Sequence, residues 1–333
     1  SQGHMRRREF ITLLGRAAAW PFTARAQQTE RMRRIGVLIG LTESDTEGQA
    51  RVAALKGGLE QAGWVSGKNA RIEVFWAGGD TDLTRRYAAE LVASSPDVIV
   101  VNAPVGMVAL QKETKTLPIV FVHVSNVTES GLIVNPARPE ANLTGFTHLF
   151  DFGIAGKWVQ LLKEIAPHLT RVGILMSRNH PSWRGYVSAL NSAASTAGVD
   201  AVEMGVERTS EIEPSLVSLA QKPNSGIVVP PDSFTAAHRD EIIGLAEKFQ
   251  MPAVYGVPYF AHSGGLIAYG ANLVELLNKA ATYVDRILRG ESPSLLPVQS
   301  STSFNLTINL KTAKALGLSV PPALQARADE MIE

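Results

Sequence analysis

From residue 33 onward, short runs of apolar residues alternate with longer segments in which apolar positions recur every three or four residues. Residues 34–40 (RIGVLIG) form the first run, and residues 46–62 follow with helical spacing through Ala50 and Leu59 before Gly63. The short run predicts a strand that is buried on both faces, and the longer segment predicts a helix that covers it. Strands that alternate with helices in this way indicate an α/β fold with a parallel sheet. The same alternation predicts strands at 72–76, 97–102 and 118–123, and helices near 81–94 and 105–115.

The second half of the chain repeats this order of elements at a nearly constant spacing. Residues 171–176 match the first strand, and a helix near 183–197 ends at Gly198 as the first helix ends at Gly63. The order and the matching Gly and Pro positions favour two homologous, doubly wound parallel-sheet lobes, although any doubly wound sheet contains similar strands. Two lobes leave a cleft between the carboxyl ends of their strands, where ligands bind and which can close by a hinge motion. Further predicted strands at 225–229 and 251–255 correspond to those at 97–102 and 118–123.

The last part of the chain predicts elements beyond a simple tandem repeat. Strands are predicted at 264–270 and 304–308, an amphipathic helix at 272–289 and a short helix at 311–316. If these segments pass back between the lobes, several hinge crossings join the lobes instead of one linker. The predicted lobes comprise residues 33–146 and 271–297 for the first, and residues 147–270 and 298–333 for the second.

The N-terminal segment has the order of a bacterial export signal. Residues 6–8 are arginines, residues 10–14 are mainly apolar, and residues 24–26 read Ala-Arg-Ala, a small-residue cleavage motif. The arginine pair followed by Glu-Phe-Ile also resembles the twin-arginine signature. We expect cleavage after Ala26 and a periplasmic protein, with residues 1–4 a remnant of cloning; the alternative is an amphipathic first helix with basic ends. No later stretch reaches the roughly 18–20 apolar residues that a membrane helix requires.

Charge and cysteine content narrow the classes of function. Charged residues make up 19% of the chain, and the formal net charge is +1. Because the excess of positive charge lies in residues 1–26, the remainder is mildly acidic and gives no long-range attraction for nucleic acid. The chain contains no cysteine, which excludes a disulfide scaffold, a thiol nucleophile, a Cys-ligated metal and a lipid-modified N-terminal cysteine.

Motifs of catalysis and of cofactor binding are missing from the sequence. The seven histidines form no H-E-x-x-H motif, and there is no G-x-S-x-G elbow, P-loop or G-x-G-x-x-G fingerprint. We therefore expect no enzyme activity, no cofactor and no metal site.

Several short motifs that occur together in one known family are spread over nearly the whole chain beyond the export signal. They are Pro118-Ile119-Val120-Phe121, Gly131-Leu132-Ile133, Ala137-Arg138-Pro139, Asn142-Leu143-Thr144-Gly145, residues 157–167, Gly264-Gly265-Leu266, residues 309–318, Pro321-Pro322 and residues 327–330. In these motifs the chain resembles the bacterial ABC-transporter substrate-binding proteins with a type I periplasmic-binding fold, in the branch of tryptophan- and tyrosine-type receptors. The resemblance implies a receptor, expected to be a monomer, that closes on a small solute and delivers it to the membrane subunits of an ABC permease.

Two motifs depart from the pattern of this family. The family has Ser-Asp-Pro where the chain has Ser125-Asn126-Val127, and Arg-Pro-Gly-Gly-Asn where it has Arg138-Pro139-Glu140-Ala141-Asn142. The first departure removes a carboxylate at a strand end that faces the predicted cleft, so it bears on the class of ligand.

Polar and aromatic residues at predicted strand ends are the candidates for ligand contact, because ligands of open α/β sheets meet these positions. Hydroxyls, amides and free backbone N–H groups at helix N-termini favour a carboxylate, whereas Asp232 is a candidate partner for a ligand ammonium. The candidates are Thr42, Ser44, Asn102, Ser125 and Asn126 in the first lobe, and His148, Ser177, Asn179, Asp232, Ser233, Tyr255 and Tyr269 in the second.

Several candidates also have a purely structural interpretation. Asp232 and Ser44 stand where they could cap the helices that follow. His148 suits a hydrogen-bonded hinge residue, and the neighbouring aromatic residues Tyr259 and Phe260 suit the core as well as an apolar wall.

We expect a receptor for a small amino-acid-like, aromatic or other carboxylate solute. The alternative is a subunit that reports ligand occupancy to a membrane signalling partner. A secreted α/β enzyme lacks the motifs that its chemistry requires. A sugar-responsive repressor carries a helix-turn-helix ahead of the first lobe, where this chain has an export signal.

Overall fold

The computed structural model describes residues 31–125, 127–128, 131, 133–139, 142–149 and 152–333. The predicted export signal of residues 1–26 and the candidate ligand residue Asn126 lie outside these described residues.

The described chain alternates strands with helices, in agreement with the sequence pattern. The strands are β1 Arg33–Ile39, β2 Ala70–Trp76, β3 Val98–Asn102, β4 Ile119–Ser125, β5 Leu143–Leu149, β6 Arg171–Ser177, β7 Asp200–Val206, β8 Ser225–Val229, β9 Ala253–Tyr255, β10 Ile267–Ala271, β11 Gln299–Ser300, β12 Phe304–Asn309 and β13 Glu330–Ile332. The helices are α1 Thr46–Gln61, α2 Thr81–Ala93, α3 Pro104–Glu113, α4 Ile154–Ile165, α5 Trp183–Thr196, α6 Ile212–Ala220, α7 Ser233–Ala237, α8 Arg239–Lys248, α9 Tyr259–His262, α10 Leu273–Leu288, α11 Leu310–Ala315 and α12 Pro322–Gln325. Among the described residues, no helix has the length and apolar character needed to cross a membrane.

The first lobe is built on a parallel sheet of six strands in the order β11-β5-β4-β3-β1-β2. Its central strand β3 is buried along its whole length, as expected for an apolar run that helices cover on both faces. Asp45 and Asp80 begin helices α1 and α2, since their carboxylates accept hydrogen bonds from backbone N–H groups of the first turn.

The second lobe contains a seven-stranded sheet in the order β13-β12-β10-β9-β8-β6-β7, in which β10 and β12 are antiparallel. The orders β2-β1-β3-β4-β5 and β7-β6-β8-β9-β10 are equivalent, so both lobes have the same topology. In each lobe the second strand lies on one side of the first strand, and the later strands lie on the other side. Open α/β sheets bind ligands near such a change of side. The two predicted doubly wound lobes are confirmed.

The structure adds four strands that the apolar pattern does not predict, namely β5, β7, β11 and β13. Strand β5 is central to the site and contains the buried polar residues Thr144 and Thr147. Their hydroxyls donate hydrogen bonds to the carbonyl oxygens of Leu296, at 2.6 Å, and of Val124. Because these hydroxyls have partners, β5 can be buried without an apolar sequence.

Connections pass between the lobes at three places in the described chain: between β5 and α4, between β10 and α10, and between β11 and β12. Helix α10 returns to the first lobe, where Trp64 donates a hydrogen bond of 2.8 Å to Asp285. Strand pairing in the first lobe includes residues 147–149 and 299–300, which the boundaries predicted from the sequence assign to the second lobe. The pattern of apolar residues in the sequence does not predict backbone pairing of this kind.

Candidate functional site

Residues that follow strand ends of the two sheets meet each other across the cleft. Asp45, at the start of α1, forms an ion pair with Arg239, at the start of α8. A Cβ atom placed on Gly40, after β1, would lie 2.3 Å from the hydroxyl oxygen of Ser233 on α7. The two lobes are therefore closed on each other.

Arg51 brings a positive charge from α1 into this closed cleft, where the residue is 4% exposed. Its Nε donates to Glu47 at 3.0 Å and its Nη1 donates to the side-chain oxygen of Asn102 at 2.9 Å. Its guanidinium carbon lies 5.2 Å from the ring centre of Tyr259 in the second lobe. The remaining nitrogen, Nη2, is buried without a hydrogen-bond partner in the described protein.

Ser125, His148 and Tyr186 form a buried hydrogen-bonded triangle that joins the two lobes. The Ser125 hydroxyl lies 2.8 Å from the Tyr186 hydroxyl and 3.0 Å from His148 Nε2. The distance from His148 Nε2 to the Tyr186 hydroxyl is 3.1 Å. Burial raises the pKa of Tyr186, so its hydroxyl remains protonated at neutral pH.

His123 lies beside this triangle in a strained backbone conformation. Its φ angle is 68°, in the left-handed region that residues with a Cβ rarely adopt, at an irregularity in the pairing of β4 with β5. Such a conformation costs about 1–3 kcal/mol and is concentrated at functional sites. The irregularity sets the His123 ring 4.5 Å from that of His148, centre to centre.

His180 completes the site from the loop that follows β6. Its Nδ1 accepts a hydrogen bond of 3.1 Å from the backbone N–H of Ser182. A neutral imidazole that accepts at Nδ1 carries its hydrogen on Nε2. The Ser182 hydroxyl in turn donates to the carbonyl oxygen of Ser125, at 3.4 Å, which adds another contact between the lobes.

Burial keeps these three histidines uncharged at neutral pH. Desolvation, with His180 acting in the same direction, lowers the pKa of His148 to about 3. Desolvation and then the neighbouring histidines and Arg51 lower the pKa of His123 well below its usual value. Desolvation also lowers the pKa of His180, although Asp232 opposes the shift. A histidine of such low pKa is a poor general base at neutral pH, so the Ser125–His148 pair does not suit nucleophilic catalysis.

We refer to Arg51, Asn102, His123, Ser125, His148, His180 and Tyr186 as the polar cluster. Four of its nitrogen atoms are buried without a hydrogen-bond partner in the described protein: Arg51 Nη2, His123 Nε2, His148 Nδ1 and His180 Nε2. Each such group costs about 1–3 kcal/mol when it is left unsatisfied, so four in one place indicate a site that receives a polar molecule. The described residues contain no group of three or more His, Asp or Glu side chains arranged to hold a metal ion.

Asp232 has partners within the protein, in keeping with its interpretation as a helix cap. Its carboxylate accepts hydrogen bonds from the backbone N–H groups of Ser177 at 2.9 Å, Phe234 at 3.2 Å and Thr235 at 3.4 Å. These bonds fix the start of α7 against the end of β6.

The structure distributes the other predicted ligand residues over three environments. Asn102, Ser125 and His148 belong to the polar cluster. Ser233 contacts Gly40 between the lobes, and Ser177 is buried beside Asp232. Thr42, Ser44 and Asn179 are exposed, and a ligand contact by these three stays a prediction.

The two tyrosines predicted at strand ends take part in core packing of the second lobe. Tyr255 stacks on Phe260 with ring centres 4.7 Å apart and is 1% exposed. The ring of Tyr269 lies against Phe304, and its carbonyl oxygen accepts a hydrogen bond of 2.8 Å from Trp158. These contacts stabilise the lobe, and contact of either ring with a ligand stays a prediction.

Sequence reasoning missed four members of the polar cluster: Arg51, His123, His180 and Tyr186. Arg51 and Tyr186 lie on helices, which strand-end reasoning does not sample. An available signal was that His123, His148 and His180 all lie at or just after the ends of consecutive strands, β4, β5 and β6.

Comparison with known proteins identifies the family. Residues 38–332 match the family model described as ABC transporter substrate binding protein. The chain is 24% identical over 290 residues to a tyrosine-binding protein of Clostridioides difficile, which covers 87% of this chain and 82% of that protein. A conserved domain protein from Vibrio cholerae has a TM-score of 0.83 at 26% identity, and it covers 90% of this chain and 100% of its own. An ABC domain from Streptococcus pneumonia in complex with L-Trp has a TM-score of 0.80 at 23% identity, with the same coverage.

The family model spans nearly all of the described chain, and the structure has two closed lobes around a polar cluster. Both observations support the same family. This chain belongs to the family of ABC transporter substrate binding proteins.

Proposed function

We propose that the chain is the periplasmic receptor of an ABC uptake system, which closes its two lobes on a small amino-acid-like or carboxylate solute. The closed receptor then delivers the solute to the membrane subunits of its permease. The polar cluster carries this proposal, because its four unpartnered nitrogen atoms come from both lobes and are buried together between the closed lobes.

The chemistry of the polar cluster supports a small polar ligand. The cluster supplies one cationic group, three uncharged imidazoles and two hydroxyl groups, all of them buried. Closure removes water from these groups and strengthens each hydrogen bond to a ligand. The relative from Clostridioides difficile is named a tyrosine-binding protein, which supports an amino-acid-like or related carboxylate solute.

The export signal predicted in residues 1–26 supports a periplasmic location. In that compartment a monomeric receptor meets solutes that have crossed the outer membrane and passes them to a permease in the inner membrane. The closed arrangement of the two lobes provides the surface that such a permease would recognise.

A thermal-shift screen of the purified protein tests the proposal. The screen contains amino acids, aromatic and aliphatic carboxylates, and sugars. A true ligand at 100 times its Kd should stabilise the protein by about 2.7 kcal/mol. Small-angle X-ray scattering should then show a smaller radius of gyration with the ligand than without it. A screen in which no solute stabilises the protein or reduces its radius of gyration would contradict the proposal.

A further inference from the structure

Two unpartnered atoms of the polar cluster have a fixed chemical role, because both can only donate a hydrogen bond. Arg51 Nη2 belongs to a guanidinium, which has no acceptor. His180 Nε2 carries the hydrogen of its ring, since Nδ1 accepts from the N–H of Ser182. These donors come from opposite lobes, Arg51 from α1 and His180 from the loop after β6. A ligand must offer acceptor atoms to both.

The other two unpartnered atoms fit the same kind of ligand. His123 Nε2 and His148 Nδ1 belong to uncharged rings, which donate or accept according to the tautomer. Both can therefore donate to a carboxylate oxygen or bond to a hydroxyl group of the ligand. Neither offers the negative charge that a buried ammonium group requires.

In the part of the chain that the structure describes, the buried carboxylates beside the cleft belong to Asp232 and Asp45, and both already have partners in the protein. Asp232 accepts three backbone hydrogen bonds, from Ser177, Phe234 and Thr235. Asp45 pairs with Arg239 and also caps α1. Burying a charge without a partner costs several kcal/mol, so an ammonium group would be poorly accommodated beside Arg51.

Glu47 is a further described carboxylate near the cluster, and it pairs with Arg51 Nε at 3.0 Å. This pair leaves Nη2 of the same guanidinium available, which suits an oxygen atom of a ligand.

From this balance of donors and acceptors, we infer that the cleft selects an organic carboxylate that carries no ammonium group. The inference narrows the proposed function and rests on it. The carboxylate meets Arg51 from the first lobe, and an oxygen atom of the same molecule meets His180 from the second. Closure of the lobes then satisfies donors on both sides at once.

Titration calorimetry with matched pairs of solutes tests this inference. The pairs are L-phenylalanine with 3-phenylpropanoate, L-leucine with 4-methylpentanoate, and L-glutamate with glutarate; 2-phenylethylamine serves as the ammonium-only probe. We expect the member without an ammonium group to bind at least tenfold more tightly in every pair that binds, and 2-phenylethylamine not to bind. Equal or tighter binding of the amino acids overturns the inference and leaves the proposed function intact. Binding of a neutral sugar alone does the same, whereas no binding by any solute counts against both.

Three variants test whether Arg51 and His180 cause the preference for a carboxylate. Arg51→Gln should weaken carboxylate binding at least tenfold, and Arg51→Lys should weaken it less because it keeps the charge. His180→Asn keeps an oxygen that can accept from Ser182 N–H but removes the Nε2 donor, and it should also lose at least tenfold. Arg71→Gln, which removes an exposed arginine paired with Glu73, serves as the control and should bind like the wild type.

Melting temperatures of the same variants separate loss of binding from loss of folding. If Arg51→Gln and His180→Asn both fold and bind the carboxylate as tightly as the wild type, the inference is overturned. If Arg51→Gln fails to fold, His180→Asn and the solute pairs still decide the outcome.

Discussion

Asp45 and Arg239 form an ion pair that joins the first lobe to the second across the cleft. Their side chains are 7% and 14% exposed, so water screens the pair little. Although burial alone would lower the pKa of Arg239, the hydrogen bond and the charge of Asp45 raise it. Arg239 also donates to the hydroxyl of Ser263 at 3.1 Å and to the carbonyl oxygen of Ala236 at 3.2 Å, which holds it in place on α8. The pair therefore stabilises the closed arrangement.

Removing the charge of Asp45 should favour the open lobes. In Asp45→Asn the asparagine still caps α1, because Asn and Asp are equally good at that position. We expect the affinity for the solute to fall about tenfold, which corresponds to about 1.4 kcal/mol. Titration calorimetry measures this loss, and small-angle X-ray scattering measures the larger radius of gyration.

The matched control for that variant is Asp240→Asn. Asp240 lies 3.7 Å from Nε of the same arginine, but its side chain is 82% exposed, so the charge is screened. We expect an affinity within about twofold of the wild type, as for exposed ion pairs. Equal losses in the two variants would show that the pair of Asp45 with Arg239 has no particular role in closure.

The Tyr186 hydroxyl should contribute to ligand affinity through the bonds that it makes across the cleft. In Tyr186→Phe the ring keeps its contact with Phe152, at 4.8 Å between centres, and only the hydroxyl is lost. A buried hydrogen bond contributes about 1 kcal/mol, so we expect the affinity to fall about fivefold. Tyr87→Phe serves as the control, because Tyr87 packs on Phe75 within the first lobe. An unchanged Kd in Tyr186→Phe would contradict the role of the triangle.

The two-lobed fold could be predicted because its main strands are apolar runs followed by turn or helix-capping residues. Strands β3 and β8 are buried along their whole length, and the sequence marks both of them. Strand β5 could not be predicted in this way, since it contains Thr144, Thr147 and His148. The hydroxyls of Thr144 and Thr147 can be buried because they donate to carbonyl oxygens elsewhere in the fold, and a local pattern does not contain those partners.

The site could be predicted only in part, for a related reason. Strand-end reasoning found Asn102, Ser125 and His148, which occupy ends of β3, β4 and β5. His123 enters the site through an irregularity of the backbone, which no pattern of residue types indicates. Arg51 lies on a helix, and its side chain is buried by contacts with both lobes. The sequence of the helix alone does not predict that burial.

Acid should destabilise the closed protein, because its buried histidines resist protonation. The pKa of His148 is lowered from 6.5 to about 3 by burial, with His180 acting in the same direction. Between these values the unfolded chain binds more protons than the folded chain, so the free energy of unfolding falls as the pH decreases. The stabilisation is complete above about pH 6.5, and each such histidine loses up to about 1.4 kcal/mol per pH unit below it. Burial also lowers the pKa values of His123 and His180, so both contribute to the same dependence.

Urea denaturation at pH 7.5 and pH 5.0 measures this dependence. In His148→Gln the side-chain amide can replace the hydrogen bonds at Nε2 but does not titrate, so the loss of stability on acidification should be smaller. His168→Gln serves as the control, because His168 is exposed, and the loss of stability of this variant should equal that of the wild type. An equal loss in all three proteins would exclude His148 as a source of the effect.

Gly40 offers a way to block closure without disturbing either lobe. Its φ angle is outside the left-handed region, so an alanine can adopt the same backbone conformation. In the closed structure the added Cβ would lie 2.3 Å from the Ser233 hydroxyl oxygen and 2.7 Å from its Cβ. Within its own lobe the nearest atom to the added Cβ is the Cβ of Ala103, at 3.4 Å, which is an ordinary contact distance. The conflict thus arises when the second lobe closes.

We expect Gly40→Ala to retain the melting temperature of the ligand-free protein but to bind the solute at least tenfold more weakly, since the closed state is penalised. Gly57→Ala is the matched control, because nothing lies within 4 Å of its added Cβ, and it should bind like the wild type. Combining Gly40→Ala with Ser233→Gly removes both clashing atoms and should restore the affinity. If Gly40→Ala binds normally, or if the second substitution fails to restore binding, then contact between these residues does not limit closure, and the lobes meet the ligand in a more open arrangement.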